Sequence, residues 1–368
     1  MNRSIPFLEL APMHADLADE LKAKFAKLLE KGLFSGGEEV EALEVTMQEF
    51  LGISHVIPCA NGTDALELAL RALEIGPGDE VIVPALTWVS TAEVVKMVGA
   101  EVVFCDVDTD GLIDIKQMEN LISPSTKAVI PVHLYGKMVE MNQLLRITRS
   151  MGIKVIEDAA QAFGAFQQGK SAGALGEIGC FSFYPTKNLG ALGEAGLLST
   201  QDPLLEERLR LLLNHGQAQR DRHEIIGRNS RIDTLQAAFL NVKFSCFKAW
   251  QQKRKALAKL YLDHLQHLKG VVVPSSILQS AHNAHLFTIQ TDERDALKAY
   301  LGEKGIGTAV HYPLPVPVMQ AFGGEKDFPV ASKLSISTLS LPLHPYLRED
   351  EVRRVCEEIQ LFFSARLG

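Results

Sequence analysis

The first fifty residues carry apolar side chains at the spacing of helix faces. Apolar positions recur three or four residues apart and predict a helix over Asp16–Lys31. A second stretch with the same period predicts a helix over Glu39–Phe50. Gly32 and Gly52 mark the two ends, because glycine adopts the left-handed conformation that closes helices. The chain is therefore predicted to open with two helices.

Beyond these helices the pattern changes to short apolar runs, rich in β-branched residues, that alternate with longer helical stretches. The predicted strands are His55–Cys59, Val81–Pro84, Glu101–Cys105, Lys127–Pro131 and Lys154–Glu157. Strands separated by helices pair in parallel and are covered by helices on both faces, so the pattern predicts the α/β class. No GxGxxG motif follows the first strand, which argues against a dinucleotide-binding fold. Ligands of such sheets bind beyond the carboxyl ends of the strands, so candidate site residues are sought there.

The last third of the chain has the pattern of a smaller α+β unit. Helical periodicity covers Thr234–Lys243 and then Ala249–Leu268, where we place a domain boundary between residues 1–248 and 249–368. The polar stretch 214–224 is predicted as a loop near the active site or a subunit contact. The remaining predicted elements are strands at Val271–Val273 and Leu286–Gln290, a helix over Glu293–Lys304, a strand ending in His311 and Tyr312, and a closing helix over Glu349–Phe363.

Composition narrows the class of protein. With 368 residues, 46% of them hydrophobic and 22% charged, the chain is long enough for a large globular domain and a smaller one. Its 37 basic and 45 acidic residues give a net charge of -8, which argues against nucleic acid as the main partner. No apolar run approaches the length needed to cross a bilayer, and Met1–Leu8 is too short and broken for a signal peptide. A cytoplasmic location without a membrane partner is therefore expected.

The number and spacing of the cysteines indicate whether they form disulfides. The cysteines are odd in number and widely spaced, and most lie inside apolar runs, so neither a disulfide framework nor a zinc site is expected. They are predicted to be reduced core residues, and no metal is expected. The cysteines are Cys59, Cys105, Cys180, Cys246 and Cys356.

Three of the predicted strands end beside residues that could bind a ligand. Ala60–Ala65 opens a helix, where free N–H groups and the helix dipole favour a phosphate, although Thr63 or Asp64 could equally be an ordinary helix cap. Trp88 follows the second strand and could cover a flat ring, with core packing as the alternative. Asp158 ends a buried strand, where a carboxylate needs a cationic or N–H partner, with helix capping as the alternative.

Lys187 lies near the end of the aromatic run Phe181–Asn188 and precedes the glycine-rich turn Gly190–Gly196. An amine fixed in this way is a candidate nucleophile, because its surroundings lower its pKa, whereas a solvated surface lysine is the alternative. The ordered set of a phosphate-binding turn, an aromatic ring, a strand-end carboxylate and a lysine matches pyridoxal phosphate. The phosphate, pyridine nitrogen and aldehyde of this cofactor require N–H donors, an anion and an amine. His133, after another strand, is better explained as a residue that supports the site from behind, or as a satisfied core residue, than as a catalyst.

The sequence resembles the DegT/StrS-type sugar aminotransferases, which are pyridoxal-phosphate enzymes of fold type I. The resemblance spans nearly the whole chain and implies a large domain with a mostly parallel seven-stranded sheet flanked by helices, together with a small carboxyl-terminal α+β domain. It also implies a homodimer with shared active sites. The motifs that carry it are Ile5–Leu8, Ala60–Leu66, Gly76–Val81, Glu157–Gln161, Phe181–Asn188, Asn229–Asp233 and Gly305–Pro313.

The same resemblance implies a role for each candidate residue. Lys187 would form the Schiff base with the cofactor, Asp158 would pair with the pyridine nitrogen, and Gln161 would approach the phenolic oxygen. Trp88 would stack on the ring. The implied phosphate ligands are Gly62, Thr63, Ser182 and, from the neighbouring subunit, Asn229. The implied contacts to the sugar or its diphosphate are Arg231, His311 and Tyr312.

The reaction implied by the resemblance is amino transfer from glutamate to a nucleotide-linked keto-sugar, with pyridoxamine phosphate as intermediate and 2-oxoglutarate as by-product. The form of Asn229–Asp233 and the charged loop before it are closest to members that act on 3-keto sugars, for example UDP-2-acetamido-3-keto hexuronates, in surface-polysaccharide or unusual-sugar biosynthesis. The alternatives are amination at carbon 4 of a UDP- or dTDP-linked 4-keto-6-deoxy sugar, or of a keto-inositol.

Two further classes are weighed against this one. The dehydratase branch of the family has histidine in place of the lysine, so Lys187 argues against it. A non-enzymatic regulator that binds pyridoxal phosphate would keep the phosphate turn, but the sequence offers no DNA-binding appendage or basic face. One departure from the family pattern is Ala195, which stands where glycine is usual and puts the flexibility of the turn after Lys187 in question.

Overall fold

The computed structural model of the chain describes residues 3–324 and 328–367, so the first two residues of the segment considered as a signal peptide lie outside it. The helices are α1 Ala11–Asp16, α2 Ala18–Lys31, α3 Glu38–Leu51, α4 Gly62–Ala72, α5 Ser90–Met97, α6 Ile115–Leu121, α7 Met141–Ser150, α8 Pro203–Leu213, α9 Thr234–Leu265, α10 Arg294–Glu303, α11 Pro329–Ser337 and α12 Glu349–Leu367. The strands are β1 His55–Cys59, β2 Glu80–Pro84, β3 Glu101–Cys105, β4 Thr126–Val129, β5 Lys154–Asp158, β6 Phe166–Gln167, β7 Lys170–Ser171, β8 Ile178–Ser182, β9 Gly196–Thr200, β10 Gln217–Gln219, β11 Arg222–His223, β12 Phe287–Gln290 and β13 Thr338–Leu341.

A seven-stranded sheet in the order β1-β9-β8-β5-β4-β2-β3 forms the centre of the molecule. Its parallel part runs from β8 to β3, and β9 lies antiparallel between β1 and β8. A strand pair joined without a helical crossover pairs antiparallel, which accounts for β9 directly after the turn that follows β8. The predicted α/β class with a mostly parallel seven-stranded sheet is confirmed.

An aromatic cluster on one side of this sheet fixes the segment that leads to Lys187. Phe181 and Phe183 are completely buried and project to the same side, as the period of a strand requires. Phe163 lies between them and α9, with its ring centroid 5.8 Å from that of Phe181, 5.3 Å from that of Phe183 and 5.0 Å from that of Phe247. The packing leaves the residues after Phe183 little freedom.

Helix α9 runs without a break through the predicted domain boundary. The residues between the two predicted helices include no glycine or proline, and Phe247 among them is buried, so the helix continues for 32 residues. A separate hydrophobic cluster joins Leu257 and Tyr261 of α9 to β12, β13, α10 and α12, and also contains Ile5. The division into residues 1–248 and 249–368 stays a prediction.

Several predicted elements differ in extent. The first predicted helix begins two residues later than expected, as α2, and is preceded by the short helix α1, which was not predicted. The predicted strand at Val271–Val273 is reduced to a single bridge between Val272 and Gln290, and the strand predicted to end in His311 and Tyr312 is reduced to a bridge between Ala309 and Ser340. These bridges extend the pair of β12 and β13 on either side, and β13 was not predicted from local sequence.

All five cysteines are free thiols, as expected, and only Cys246 among them is partly exposed. Across residues 3–324 and 328–367, no helix has the length and apolar character needed to cross a membrane.

Candidate active site

Residues at the carboxyl ends of β1, β5 and β8 meet at one edge of the sheet. Gly62 follows β1, and a Cβ atom placed on it would lie 2.8 Å from the Cβ of Ser182, the last residue of β8. Asp158 ends β5 and pairs in register with Cys180 of β8. The structure thus brings together three candidate residues that lie far apart in the sequence.

The start of α4 forms a cradle suited to an anion. Asn61 caps the helix, since its Oδ1 accepts the N–H of Asp64 at 2.8 Å, so the capping role expected for Thr63 or Asp64 belongs to Asn61. The N–H groups of Gly62 and Thr63 are the first two of the helix and have no partner inside it. The hydroxyl of Thr63 lies 2.8 Å from that of Ser90. Free N–H groups and the positive end of the helix dipole favour a phosphate here.

Close approach of the backbone explains the glycines of this cradle. Besides the contact of Gly62 with Ser182, a Cβ atom on Gly196 of β9 would lie 2.3 Å from the carbonyl oxygen of Asn61. A side chain at either position would push the start of α4 away from the sheet. Ala195, the departure noted from the sequence, does not adopt a positive φ, and its carbonyl accepts the N–H of Phe183 at 2.8 Å, so the alanine introduces no backbone strain.

Asp158 is a buried carboxylate held by neutral donors. Its Oδ2 accepts the hydroxyl of Thr91 at 2.8 Å, and its Oδ1 accepts the N–H of Ala160 at 3.2 Å. Burial raises the pKa of Asp158, while the hydrogen bonds from Thr91 and Ala160 and the charge of Lys187 oppose this rise. No salt bridge within the described residues includes Asp158. A cationic ring nitrogen would supply the missing counter-charge, so the site fits a protonated pyridine.

Lys187 lies in the loop after β8, and its N–H donates to the carbonyl of Tyr184 at 2.8 Å. Burial lowers the pKa of the Lys187 amine to about 8, and the nearby Asp158 carboxylate opposes this shift. At neutral pH a larger fraction of this amine is therefore uncharged than of a solvated lysine. The alternative of a fully solvated surface lysine does not describe this side chain.

A hydrogen-bond chain joins predicted cofactor residues to predicted substrate residues. The side-chain amide of Gln161 accepts the N–H of Tyr135 at 2.7 Å and donates to the hydroxyl of Tyr312 at 3.0 Å. The hydroxyl of Tyr135 donates to the carbonyl of His311. The ring of Tyr312 lies 5.8 Å from that of Trp88, which is 56% exposed and open toward solvent, as a ring-covering residue requires.

His311 is held as a neutral imidazole. Its Nδ1 lies 2.8 Å from the hydroxyl of Ser340 in β13. Burial and the positive charge of Lys187 lower the pKa of His311 to about 4, so the ring is uncharged at neutral pH. The effect of the Lys187 charge on His311 is consistent with the two groups lying near each other.

Asn229 and Arg231 lie apart from this cluster in the single chain. Both are exposed, and the Nε of Arg231 donates to Oδ1 of Asn229 at 3.2 Å. Their segment lies beside the start of the cradle, since the carbonyl of Ser230 accepts the N–H of Ala60 at 2.8 Å. Within residues 3–324 and 328–367, no hydrogen bond joins Asn229 or Arg231 to Lys187 or Tyr312. Arg231 instead lines a surface cavity of about 320 Å³.

His133 and Glu157 form a completely buried pair with 2.9 Å between Nε2 and Oε2. The Nδ1 of His133 accepts the N–H of Val139 at 3.1 Å, so Nε2 carries the proton and donates it to Glu157. Burial raises the pKa of Glu157, but the bonds from His133 and from backbone N–H groups outweigh this and lower it. The interpretation of His133 as a satisfied core residue is confirmed.

Tyr135 is a site residue that the sequence did not single out. It adopts a left-handed conformation with φ 59°, which costs a residue with a side chain about 1–2 kcal/mol. Its N–H bond to Gln161 and its hydroxyl bond to His311 maintain this conformation. The signal in the sequence was weak, because a tyrosine before Gly136 predicts only a turn.

Asn188, directly after Lys187, is also tied into a network that sequence reasoning missed. Its Oδ1 lies 3.0 Å from Nδ1 of His285, and its Nδ2 donates to the carbonyl of Asn283 at 3.1 Å. Asn283 in turn donates to the carbonyl of Gln161 at 2.8 Å. The network fixes the loop that carries Lys187 to the segment that carries Gln161.

A lysine, a buried carboxylate, an exposed aromatic ring and an anion cradle, set at the carboxyl edge of this sheet, define a pyridoxal-phosphate-dependent aminotransferase of fold type I. The chain belongs to the DegT/DnrJ/EryC1/StrS aminotransferase family, whose family model matches residues 15–360.

Known relatives resemble the chain over nearly its whole length. A UDP-N-acetyl-3-dehydro-alpha-D-glucosamine 3-aminotransferase of Acidithiobacillus ferrooxidans is 43% identical over 98% of this chain and 98% of its own. A UDP-2-acetamido-2-deoxy-3-oxo-D-glucuronate aminotransferase of Pseudomonas aeruginosa is 39% identical over 96% and 98%. The crystal structure of DesV from S. venezuelae, in complex with a ketimine intermediate, matches with a TM-score of 0.95 at 38% identity over 98% and 99%.

Proposed function

We propose that this protein transfers an amino group from glutamate to carbon 3 of a nucleotide-linked 3-keto sugar, in the cytoplasm, where both substrates would be available. The observation that carries the proposal is the pair of relatives at 43% and 39% identity, both named for amination of a UDP-linked sugar with a keto group at carbon 3. Their sugars differ in that one is a glucuronate. The shared chemistry is a UDP-2-acetamido-3-keto sugar.

The residues of the site fit the cofactor. The cradle of Gly62 and Thr63 with Ser182 would hold its phosphate, Trp88 would cover its ring, and Asp158 would face its pyridine nitrogen. When bound, pyridoxal phosphate supplies an aldehyde that receives the amino group and a conjugated ring that stabilises negative charge on carbon.

Side chains of the protein would transfer protons and hydrogen-bond the substrate. Lys187 Nζ, with its pKa near 8, can both accept and release a proton close to neutral pH, as a group that shuttles a proton between two carbon atoms must. The hydroxyl of Tyr312 accepts a hydrogen bond from Gln161, so its own proton is free to donate toward a substrate oxygen. His311 is neutral and can act as a hydrogen-bond partner of the sugar without adding charge.

A panel of keto-sugars tests the proposal. With glutamate as donor and 2-oxoglutarate release as the measurement, kcat/KM for UDP-linked 2-acetamido-3-keto hexose or hexuronate is expected to exceed that for a UDP- or dTDP-linked 4-keto-6-deoxy sugar by at least about tenfold, because a site built to bind substrate polar groups rejects a misplaced one. A keto-inositol serves as the control without a nucleotide. Faster turnover of the 4-keto sugar would overturn the assignment to carbon 3.

We further propose that two copies of the chain share their active sites. Apolar side chains in the second half of α2 and just after it are exposed, among them Phe25 at 42%, Leu29 at 54% and Phe34 at 45%. Phe34 accepts the N–H of Thr234 at 3.2 Å, which places this patch beside the segment of Asn229. A second copy that covers the patch would bring its Asn229 toward the phosphate cradle of the first.

A heterodimer of two inactive variants tests the sharing. Lys187→Ala and Asn229→Asp are each expected to be inactive as homodimers, since the second places a negative charge toward the phosphate. Co-expressed with different tags and purified through both, the heterodimer has one intact site and should show about half of the wild-type activity. A heterodimer as inactive as its parents would contradict a shared site.

A further inference from the structure

Two buried threonine hydroxyls form a chain of hydrogen bonds that ends at the Asp158 carboxylate. Thr87 is 2% exposed and Thr91 is completely buried. Their Oγ1 atoms lie 3.0 Å apart, and Thr91 Oγ1 lies 2.8 Å from Oδ2 of Asp158. Thr87 lies in the bend before α5 and Thr91 lies in the first turn of α5, so one short segment of the chain places both hydroxyls.

The Asp158 carboxylate determines which group donates in each of these two hydrogen bonds. An ionised carboxylate only accepts hydrogen bonds, so Thr91 donates its proton to Asp158. The oxygen of Thr91 is then the acceptor for the proton of Thr87. Hydroxyl dipoles aligned in this way stabilise negative charge on Asp158 and oppose the effect of its burial.

The neighbouring residue connects the same helix start to the phosphate cradle. Ser90 Oγ lies 2.8 Å from Thr63 Oγ1 at the start of α4, while Thr91 contacts Asp158. Consecutive residues of α5 thus contact the phosphate cradle and Asp158. A threonine that served only helix stability would have no need to face Asp158.

We propose that Thr91, supported by Thr87, is a positioning residue that keeps Asp158 ionised and turns its carboxylate toward the pyridine nitrogen of the cofactor. The inference rests on the role of Asp158 given under the proposed function. Thr91 acts through Asp158 and does not itself touch the cofactor. Its hydroxyl sets the protonation of the pyridine nitrogen, because a carboxylate that remains ionised retains the proton on that nitrogen.

The experiment measures the protonation state of the pyridine nitrogen directly. Enzyme loaded with pyridoxal phosphate that is ¹⁵N-labelled at the ring nitrogen is compared by NMR across a pH series, and kcat is measured alongside. Thr91→Val, which removes the hydroxyl at nearly constant shape, should move the ¹⁵N resonance toward the unprotonated position and lower kcat by about tenfold. Thr91→Ser keeps the hydroxyl and should match wild type. Thr148→Val is the matched control, because Thr148 is also completely buried but bonds only to carbonyls of its own helix.

Each outcome decides the matter. A wild-type ¹⁵N resonance in loaded, folded Thr91→Val overturns the proposal; if that variant does not fold, Thr87→Val decides by the same criterion. Asp158→Asn is the reference: an unchanged resonance there contradicts the assignment of Asp158 itself. A resonance changed in Asp158→Asn but not in Thr91→Val contradicts the role of Thr91 alone. The ¹⁵N resonance does not depend on which sugar the enzyme aminates, so this test is independent of the proposed sugar specificity.

Discussion

Lys187→Ala is expected to lose the visible absorbance of the bound cofactor and to lower transamination by about 10⁴-fold or more, because one amine serves as both nucleophile and proton carrier. The structure supports both uses. The loop after β8 is held by the buried Phe183, and burial brings the pKa of the amine to about 8. The measurements are the absorbance spectrum before and after addition of glutamate, and the rate of 2-oxoglutarate release.

Lys243→Met is the matched control for this experiment. Lys243 is completely buried and, as for Lys187, burial lowers its pKa to about 8, but its Nζ lies 3.2 Å from Nε2 of His14, at the contact of α9 with α1. The folded variant should keep the absorbance and its bleaching by glutamate. If Lys187→Ala retained the wild-type spectrum, or if both variants lost it alike, the assignment of Lys187 would be wrong.

Asp158→Asn should lower kcat by roughly 10²–10³-fold while the protein still takes up the cofactor. The amide preserves the shape of the side chain but removes the negative charge that would hold a proton on the pyridine nitrogen. The cradle at α4 does not depend on Asp158, so binding of the phosphate should persist. The measurements are kcat with saturating substrates and the stoichiometry of bound cofactor.

Asp106→Asn provides the contrast for that variant. Asp106 is 4% exposed and directly follows β3, so it is a second strand-end carboxylate, but its oxygens accept the N–H groups of Val330 and Ala331 at the start of α11. Its loss should reduce the free energy of unfolding by about 1 kcal/mol and leave kcat unchanged. A loaded Asp158→Asn enzyme with kcat close to wild type would show that the carboxylate is not needed.

Local patterns predicted the parallel part of the sheet and the residues at its edge. The strands that contain Val81 and Val155 are short, apolar and β-branched, and their order along the chain fixes their pairing class. The phosphate cradle and Asp158 followed from what comes directly after such strands. These features depend on a few consecutive residues, which is why a single sequence suffices to predict them.

Features that arise from distant contacts were not predictable in this way. The strand β13, which pairs with β12, was not predicted, whereas the predicted strands near Val272 and Tyr312 form only single bridges beside this pair. Nothing in the local sequence distinguishes a strand from such a bridge. The left-handed Tyr135 is maintained by Gln161 and His311, which lie far along the chain. From the sequence, Thr91 is an ordinary residue in the first turn of a helix, and only the folded structure shows its contact with Asp158.

The contact between Gly62 and Ser182 also has a consequence for how the protein is made. These residues follow β1 and end β8, and the strand between them in the sheet is β9, which is translated after both. Because Gly196 of β9 packs against the carbonyl of Asn61, we expect the cradle to form only after β9 has been translated. Binding of the cofactor phosphate is therefore expected to follow the synthesis of β9 and to be absent from a chain that ends before Gly196.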